Sequence, residues 1–159
     1  MMFHDVFESP MGSLYLVFSG KALSGVSFRR PPLKQGRAPA ALRRQLEEYF
    51  AGRLKRFQYP IQLTEGTDFE REVWLALPEV PYGETRTYKW LAERVGRPKA
   101  TRAVGQALSK NPVPIVLPCH RIIESDGDIG GYSSGVHVKR RLLEMEYYNS
   151  LGKGGPSAP

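Results

Sequence analysis

The segment PCHRII, residues 118–123, holds the chain's only cysteine, Cys119, followed by His120 and Arg121. Two readings of the thiol compete. A free cysteine is most often a small buried hydrophobe, whereas beside a base or a cation it becomes a nucleophile, because the thiolate is the reactive form. At an ordinary pKa of about 8.5 only a few per cent is ionised at neutral pH, so attack on carbon needs help. His120 can take the proton and Arg121 can favour the anion. A histidine next to its cysteine in the chain aims poorly at the sulfur, which favours a water between them. The electrophile decides the fate of the product. An acyl carbon would give a thioester that water reopens, whereas an alkyl carbon gives a thioether with no comparable exit, and turnover stops at one.

Other chemistries have less support. One cysteine cannot form an internal disulfide, and His4, His120 and His137 are scattered without metal-ligand spacing, so no structural metal is expected, and a one-time alkyl transfer to the thiol would need no cofactor either. The opening MMFHDVFESP lacks a charged leader followed by an apolar run, and no stretch approaches a membrane span. A cytoplasmic protein with a reduced thiol is expected. The formal charge is +7. Residues 29–44 carry Arg29, Arg30, Lys34, Arg37, Arg43 and Arg44 without an acid, and residues 86–121 carry eight basic side chains against Glu93. Clustered cations suit a polyanion such as nucleic acid, although solvated faces of a basic protein would look the same.

The elements that must position Cys119 can be read in order. FHDVFE, LYLVFS and ALSGVSF, separated by SPMGS and GK, predict a small antiparallel sheet. ALRRQLEEYFAG puts Leu42, Leu46, Tyr49 and Phe50 on one helical face, with Gly52 as a stop. Residues 53–65 read as an irregular link. TDFEREVWLAL predicts a helix capped by Thr67 or Asp68, burying Phe69, Val73, Trp74 and Leu77 and ended by Pro78. Two short helices then flank a turn with Gly96 and Pro98, a helix-turn-helix pattern. The second, ATRAVGQALSKN, turns Val104, Ala107 and Leu108 inward and leaves Thr101, Arg102, Gly105, Gln106 and Ser109 outside. That small, basic face suits either close approach to a nucleic-acid groove or tight helix packing.

NPVP stops the helix, and IVLPCH reads as a buried strand that delivers Cys119 to the base of a packed pocket with no volume reserved beside the sulfur. ESDGDIGGYSSG, residues 124–135, is a Gly- and Ser-rich loop. VHVKRRLLEMEYY is a closing helix with Val138, Leu142, Leu143 and Met145 inward. The expected division is an N-terminal α+β unit with its linker (1–65), a C-terminal unit (66–151) and a disordered tail (152–159).

From Phe69 to Glu146, FEREVW, VPYGETRTY, RAVGQALSKNPVPIVLPCHRII and GGYSSG occur in order, with Cys119 eight positions after Asn111. This run closely resembles the O6-alkylguanine-DNA alkyltransferases. The resemblance implies an α+β fold: a small N-terminal ribonuclease H-like antiparallel sheet and a mainly helical C-terminal domain with a DNA-binding helix-turn-helix. It implies direct-reversal repair by a monomer, in which an alkylated guanine is flipped from double-stranded DNA and its O6-alkyl group, or that of O4-alkylthymine, moves irreversibly to Cys119. Cooperativity on DNA stays open. By matching position, His120 accepts the thiol proton through a water and Glu146 orients the imidazole. Tyr88 donates toward N3 of the guanine, and Asn111 links the recognition helix to the nucleophile. Arg102 fills the gap left by the flipped base, with Ala100, Thr101, Gly105, Gln106 and Ser109 on the DNA face. Leu108, Ile122, Gly131, Tyr132 and Ser133 form the base pocket.

Two departures stand out: Glu124 occupies a position where some relatives carry a second cysteine, and Gly131 a pocket-loop position that varies. The rival readings are a catalytically silent sensor of alkylated DNA, which the acceptor cysteine argues against, and a cysteine hydrolase, which adjacent Cys and His serve poorly.

Overall fold

A computed structural model of the chain describes residues 1–154. Strands β1 (Met2–Ser9), β2 (Gly12–Ser19) and β3 (Ala22–Ser27) form an antiparallel meander in that order. Alternation gives the sheet one buried face, on which Leu14, Leu16 and Phe18 are fully enclosed. Gly20, at φ 63°, makes the second turn, a conformation open to glycine at little cost.

Neither edge of the sheet is bare. On β1, the His4 N–H donates to the Lys34 carbonyl at 2.9 Å and the Gly36 N–H donates to the His4 carbonyl at 2.8 Å. On β3, Leu23 N–H donates to Pro60 O and Gln62 N–H to Leu23 O, both at 2.9 Å, and Val26 N–H donates to Pro112 O at 2.8 Å. The linker and the nucleophile segment thus occupy an edge that would otherwise offer free donors and acceptors.

Helix α1 (Ala40–Phe50) lays Leu42, Leu46 and Tyr49 into the core. Its Arg43 pairs with Asp5 at 2.8 Å, so one cation of the 29–44 run is committed to the fold. Helix α2 (Asp68–Ala76) starts with a capping box: Thr67 Oγ1 accepts from Glu70 N–H at 3.1 Å and Glu70 Oε1 accepts from Thr67 N–H at 2.9 Å. Pro78 falls in the 3₁₀ turn that closes this helix, Leu77–Glu79. The β4 strand (Arg86–Thr87) leads into α3 (Tyr88–Arg94), and Gly96 at φ 80° turns the chain into α4 (Thr101–Ser109). Trp74 Nε1–H donates to Ala107 O at 2.7 Å, pinning α4 to α2. Strand β5 (Ile122–Ile123) pairs in parallel with β4, a contact too short for the sequence pattern to reveal.

The expected IVLPCH strand does not form. The run is buried, but Pro114 bridges to Leu117, Ile115 takes a left-handed φ of 76°, and Cys119–Arg121 is a 3₁₀ turn. Pro112, Pro114 and Pro118 lack the donors a ladder needs, so the segment folds on itself, with Leu117 N–H donating to Val113 O at 2.9 Å. Helix α5 (Val136–Gly154) closes the structure. It buries Val138 and Leu142, with Leu143 and Met145 half-buried. It also extends into the segment expected to be a tail, whose remaining residues, 155–159, lie outside those described. Among the described residues no helix is long and apolar enough to cross a membrane.

Candidate active site

Glu146 is the hub of the site. It lies on the inner face of α5, completely buried. Its Oε1 accepts from Arg121 Nε at 2.8 Å and from the Gly83 N–H at 3.4 Å. Its Oε2 accepts from Arg121 Nη2 at 3.0 Å and from the Tyr49 hydroxyl, and lies 2.7 Å from His120 Nε2. Burial alone would raise its proton affinity, but His120 and Arg121 outweigh burial and hold the carboxyl well below the usual carboxylate range. Arg121 is anchored from its other side by Val80 O at 2.8 Å. It therefore serves the carboxylate, not the sulfur that its sequence position suggests.

His120 is also fully buried. Burial lowers its pKa, the Glu146 carboxylate opposes this, and Arg121 and Lys139 push the same way as burial. A neutral imidazole beside an ionised carboxylate must present an N–H to it, so Nε2 carries the proton and Nδ1 is the free base. Nδ1 is buried without a hydrogen-bond partner. A proton acceptor is thus held next to the thiol in the chain, already oriented from behind.

Cys119 opens the 3₁₀ turn and is 6% exposed. Burial pushes its thiol up to about 11, against the Asn111 amide and the Lys139 ammonium, which favour the thiolate. That balance favours the thiol over the thiolate at neutral pH. Asn111 staples the turn below it, donating to Leu117 O at 2.9 Å and accepting from Val113 N–H at 2.9 Å.

A cavity of about 270 Å³ opens over the sulfur, lined by Tyr88, Gly105, Leu108, Ser109, Cys119, Gly131, Tyr132 and Ser133. This corrects the expectation of a fully packed pocket: Gly131, Tyr132 and Ser133 of the 124–135 loop face the cavity together with Cys119 and leave space near the lower end of small-ligand sites, about 300 Å³. The Tyr132 hydroxyl is buried and unpartnered there. Gly105 and Ser109, expected on the outer helix face, line the cavity as well. Ile122, expected in the pocket lining, is instead fully buried in β5 and contributes its carbonyl to Lys139. Arg102, Thr101 and Gln106 are exposed along α4 beyond the cavity mouth, and Ala100 is half-buried at the helix start. Glu124 is exposed at the start of the loop, its N–H donating to Asp128 O at 2.9 Å.

Two buried polar side chains are not evident from the sequence. Lys139 is 1% exposed and donates to Ile122 O at 2.6 Å and Gly131 O at 3.0 Å, tying the nucleophile segment to the pocket loop. Burial draws its pKa down to about 8. Its position within VKRR reads as a solvated charge run, yet Lys139, Leu142 and Glu146 share one helical stripe, and that spacing is the available signal. Tyr49 reads from the sequence only as a core residue; its hydroxyl gives no sign of a partner.

Comparison with known proteins supplies the family. Residues 68–148 match the family model described as 6-O-methylguanine DNA methyltransferase, DNA binding domain. A methylated-DNA--protein-cysteine methyltransferase of Methanosarcina barkeri is 44% identical over 158 residues, covering 93% of this chain and 99% of that protein. The crystal structure of the Mycobacterium tuberculosis O6-methylguanine methyltransferase superposes with a TM-score of 0.87 at 39% identity, covering 94% of each chain. The same fit, at 39% identity and TM-score 0.87, is found with the Mycobacterium tuberculosis OGT in complex with DNA, over 92% of this chain and 94% of that one. With a thiol, an imidazole and a carboxylate gathered at a small cavity, and similarity extending over nearly the whole chain, this protein belongs to the 6-O-methylguanine DNA methyltransferase family.

Proposed function

We propose that the protein repairs alkylated DNA by direct reversal, moving the alkyl group of O6-alkylguanine in duplex DNA onto Cys119 once per molecule. The observation that carries the reading is the Cys119 thiol lining a cavity of about 270 Å³, with the buried His120–Glu146 pair next to it in the fold. The names of the relatives supply the substrate class, and the chemistry fits it. Sγ attacks the alkyl carbon, a C–S bond forms as the C–O6 bond breaks, and the thiol proton passes through a water to Nδ1 of His120. Glu146 stabilises the imidazolium. The Tyr88 hydroxyl supplies a proton toward N3 as charge develops on the guanine, and the proton held on His120 then returns to the Tyr88 oxygen through water, so the net transfer is of one alkyl group and one proton in opposite directions. The product is a thioether, which water does not reopen.

In this reading residues 66–151 form the reacting and DNA-binding unit, and residues 1–65 a supporting unit. The outer face of α4, with Thr101, Arg102 and Gln106 exposed, enters the groove, and Arg102 occupies the stack vacated by the flipped base. Gly105 and Ser109, at the junction of this face and the cavity, admit the base without obstruction. Intact mass after incubation with duplex DNA bearing O6-methylguanine tests the proposal. A gain of one methylene equivalent on Cys119, saturating at one per chain, is expected; an unchanged mass with intact DNA binding would instead favour a sensor of alkylated DNA.

A further inference from the structure

Tyr49 is a buried titratable group that the proposed reaction does not use. It lies on α1, 97 residues before Glu146, and is 1% exposed. Its ring is wedged between Phe50, Phe57 and Tyr82, with centroids 5.0, 5.3 and 5.8 Å away. This packing fixes the hydroxyl, which donates to Oε2 of Glu146, the oxygen that also faces His120 Nε2. The carboxylate has no proton to give, so the phenol is always the donor. Burial and the neighbouring carboxylate raise the phenol's pKa well above its ordinary value and keep it protonated.

We propose that Tyr49 is a positioning residue for alkyl transfer: through it the N-terminal unit reaches into the proton relay, fixing the aim of Glu146 and moderating how strongly Glu146 pulls a proton onto His120. The inference rests on the reading that Glu146 acts through His120. A lone buried carboxylate would raise the basicity of the imidazole, and a histidine already protonated near neutral pH cannot accept the thiol proton. Every donor that shares the carboxylate's charge weakens that pull. Oε2 has such donors in Tyr49 from α1 and Arg121 from the 3₁₀ turn, and Oε1 has Arg121 and the Gly83 N–H. Tyr82, from the segment before β4, faces the same cluster under the Arg121 guanidinium, with its own hydroxyl held by Asn149. On the His120 side, Lys139 of α5 adds positive charge. From the first 65 residues the Lys55 ammonium also reaches the cluster, 4.1 Å from the Tyr82 ring centroid, but Tyr49 donates to the carboxylate itself, so it is a direct route by which the N-terminal unit acts on the chemistry.

Tyr49→Phe keeps the ring and removes only the donor. Transfer rates on duplex O6-methylguanine should be followed from pH 5.5 to 8.5 for wild type, Tyr49→Phe, Glu146→Gln and the double variant, with thermal melts and DNA affinity alongside. The acid limb of the Tyr49→Phe profile is expected to move up by about 0.5–1 pH unit, giving a rate about three- to tenfold lower at pH values well below the wild-type midpoint, a loss that closes as pH rises and is gone by pH 8.5. In the Glu146→Gln background the same change is expected to cost less than about twofold. A Tyr49→Phe profile superimposable on wild type overturns the proposal. So does a pH-independent loss that persists undiminished without Glu146, since Tyr49 would then act by packing alone. If Glu146→Gln slows transfer while Tyr49→Phe does not, the relay stands and the Tyr49 role falls; if Glu146→Gln reacts at the wild-type rate, both fall.

Discussion

The two sides of Cys119 are built on opposite principles. Behind it, Glu146, His120, Arg121 and Tyr49 form a buried polar cluster in which both carboxylate oxygens are satisfied by several groups. In front, the cavity is bordered by small or exposed residues such as Gly105, Gly131 and Ser133, and the Tyr132 hydroxyl has no partner. Buried polar networks that are fully connected rigidify, whereas unsatisfied ones invite a ligand. Around the carboxylate the site is finished at rest, with His120 Nδ1 left as the unpartnered atom on that side, whereas the cavity side is completed by what enters it.

The sharpest break is at the boundary itself. Cys119→Ser should reduce transfer below detection while leaving duplex binding essentially intact, because the hydroxyl is nearly isosteric but far less ionised; retained transfer, read by intact mass, would remove the sulfur from its assigned role.

On the finished side, Glu146→Gln should slow transfer by about 10²-fold with little change in DNA affinity, as measured by single-turnover kinetics and a binding titration. The same cluster should make the fold acid-sensitive. Burial keeps the folded pKa of His120 below its ordinary 6.5, so the unfolded chain takes up that proton first and stability falls as pH drops below that value. Glu146 is depressed below its ordinary 4.5, so its contribution is present above that pH and is lost as pH falls toward the folded value. Melting temperatures that stay flat as pH falls from 7 to 5 would contradict the first, and a flat response from pH 4.5 down to 2.5 would contradict the second.

On the open side, Arg102→Ala should lower repair of duplex DNA about tenfold or more while barely changing the reaction with free O6-benzylguanine, because opening a base stack costs a few kcal/mol only when there is a stack. Equal losses on both substrates would shift Arg102 from DNA to the pocket.

The smallest effect concerns the spent protein. The cavity has room for a methyl group beside the sulfur, so S-methylation should move the melting temperature by less than about 2 °C, whereas overpacking would cost ~1–3 kcal/mol and show clearly in a thermal melt. A large drop would mean that the adduct points into the polar cluster and not into the cavity.

Legibility from sequence tracks how local each signal is. The β1–β3 meander, the Thr67 cap and the inward residues of α4 come from alternation, capping chemistry and helical period, all contained within a dozen residues. IVLPCH misleads because apolar run length cannot distinguish a strand from a buried turn, and the prolines read as a stop before the run instead of as donors missing within it. The β4–β5 pair is two residues long and non-local. Lys139 and Tyr49 are defined by partners 17 and 97 residues away in the chain, and neither side chain announces such a partner. Arg121 is conspicuous beside the cysteine, but its target cannot be chosen between sulfur and carboxylate without the position of α5.

The capped edges of the sheet bear on how the chain comes into being at the ribosome. As the polypeptide emerges, β1 can be sealed almost at once by residues 34–36, but β3 must wait for residues 60–62 and then for the carbonyl of Pro112. Until Pro112 and, later still, Glu146 have arrived, the nascent meander carries an open strand edge and an α1 helix whose Tyr49 has no carboxylate to meet. The N-terminal third should therefore complete its packing only together with the segment that bears the nucleophile and the helix that follows it.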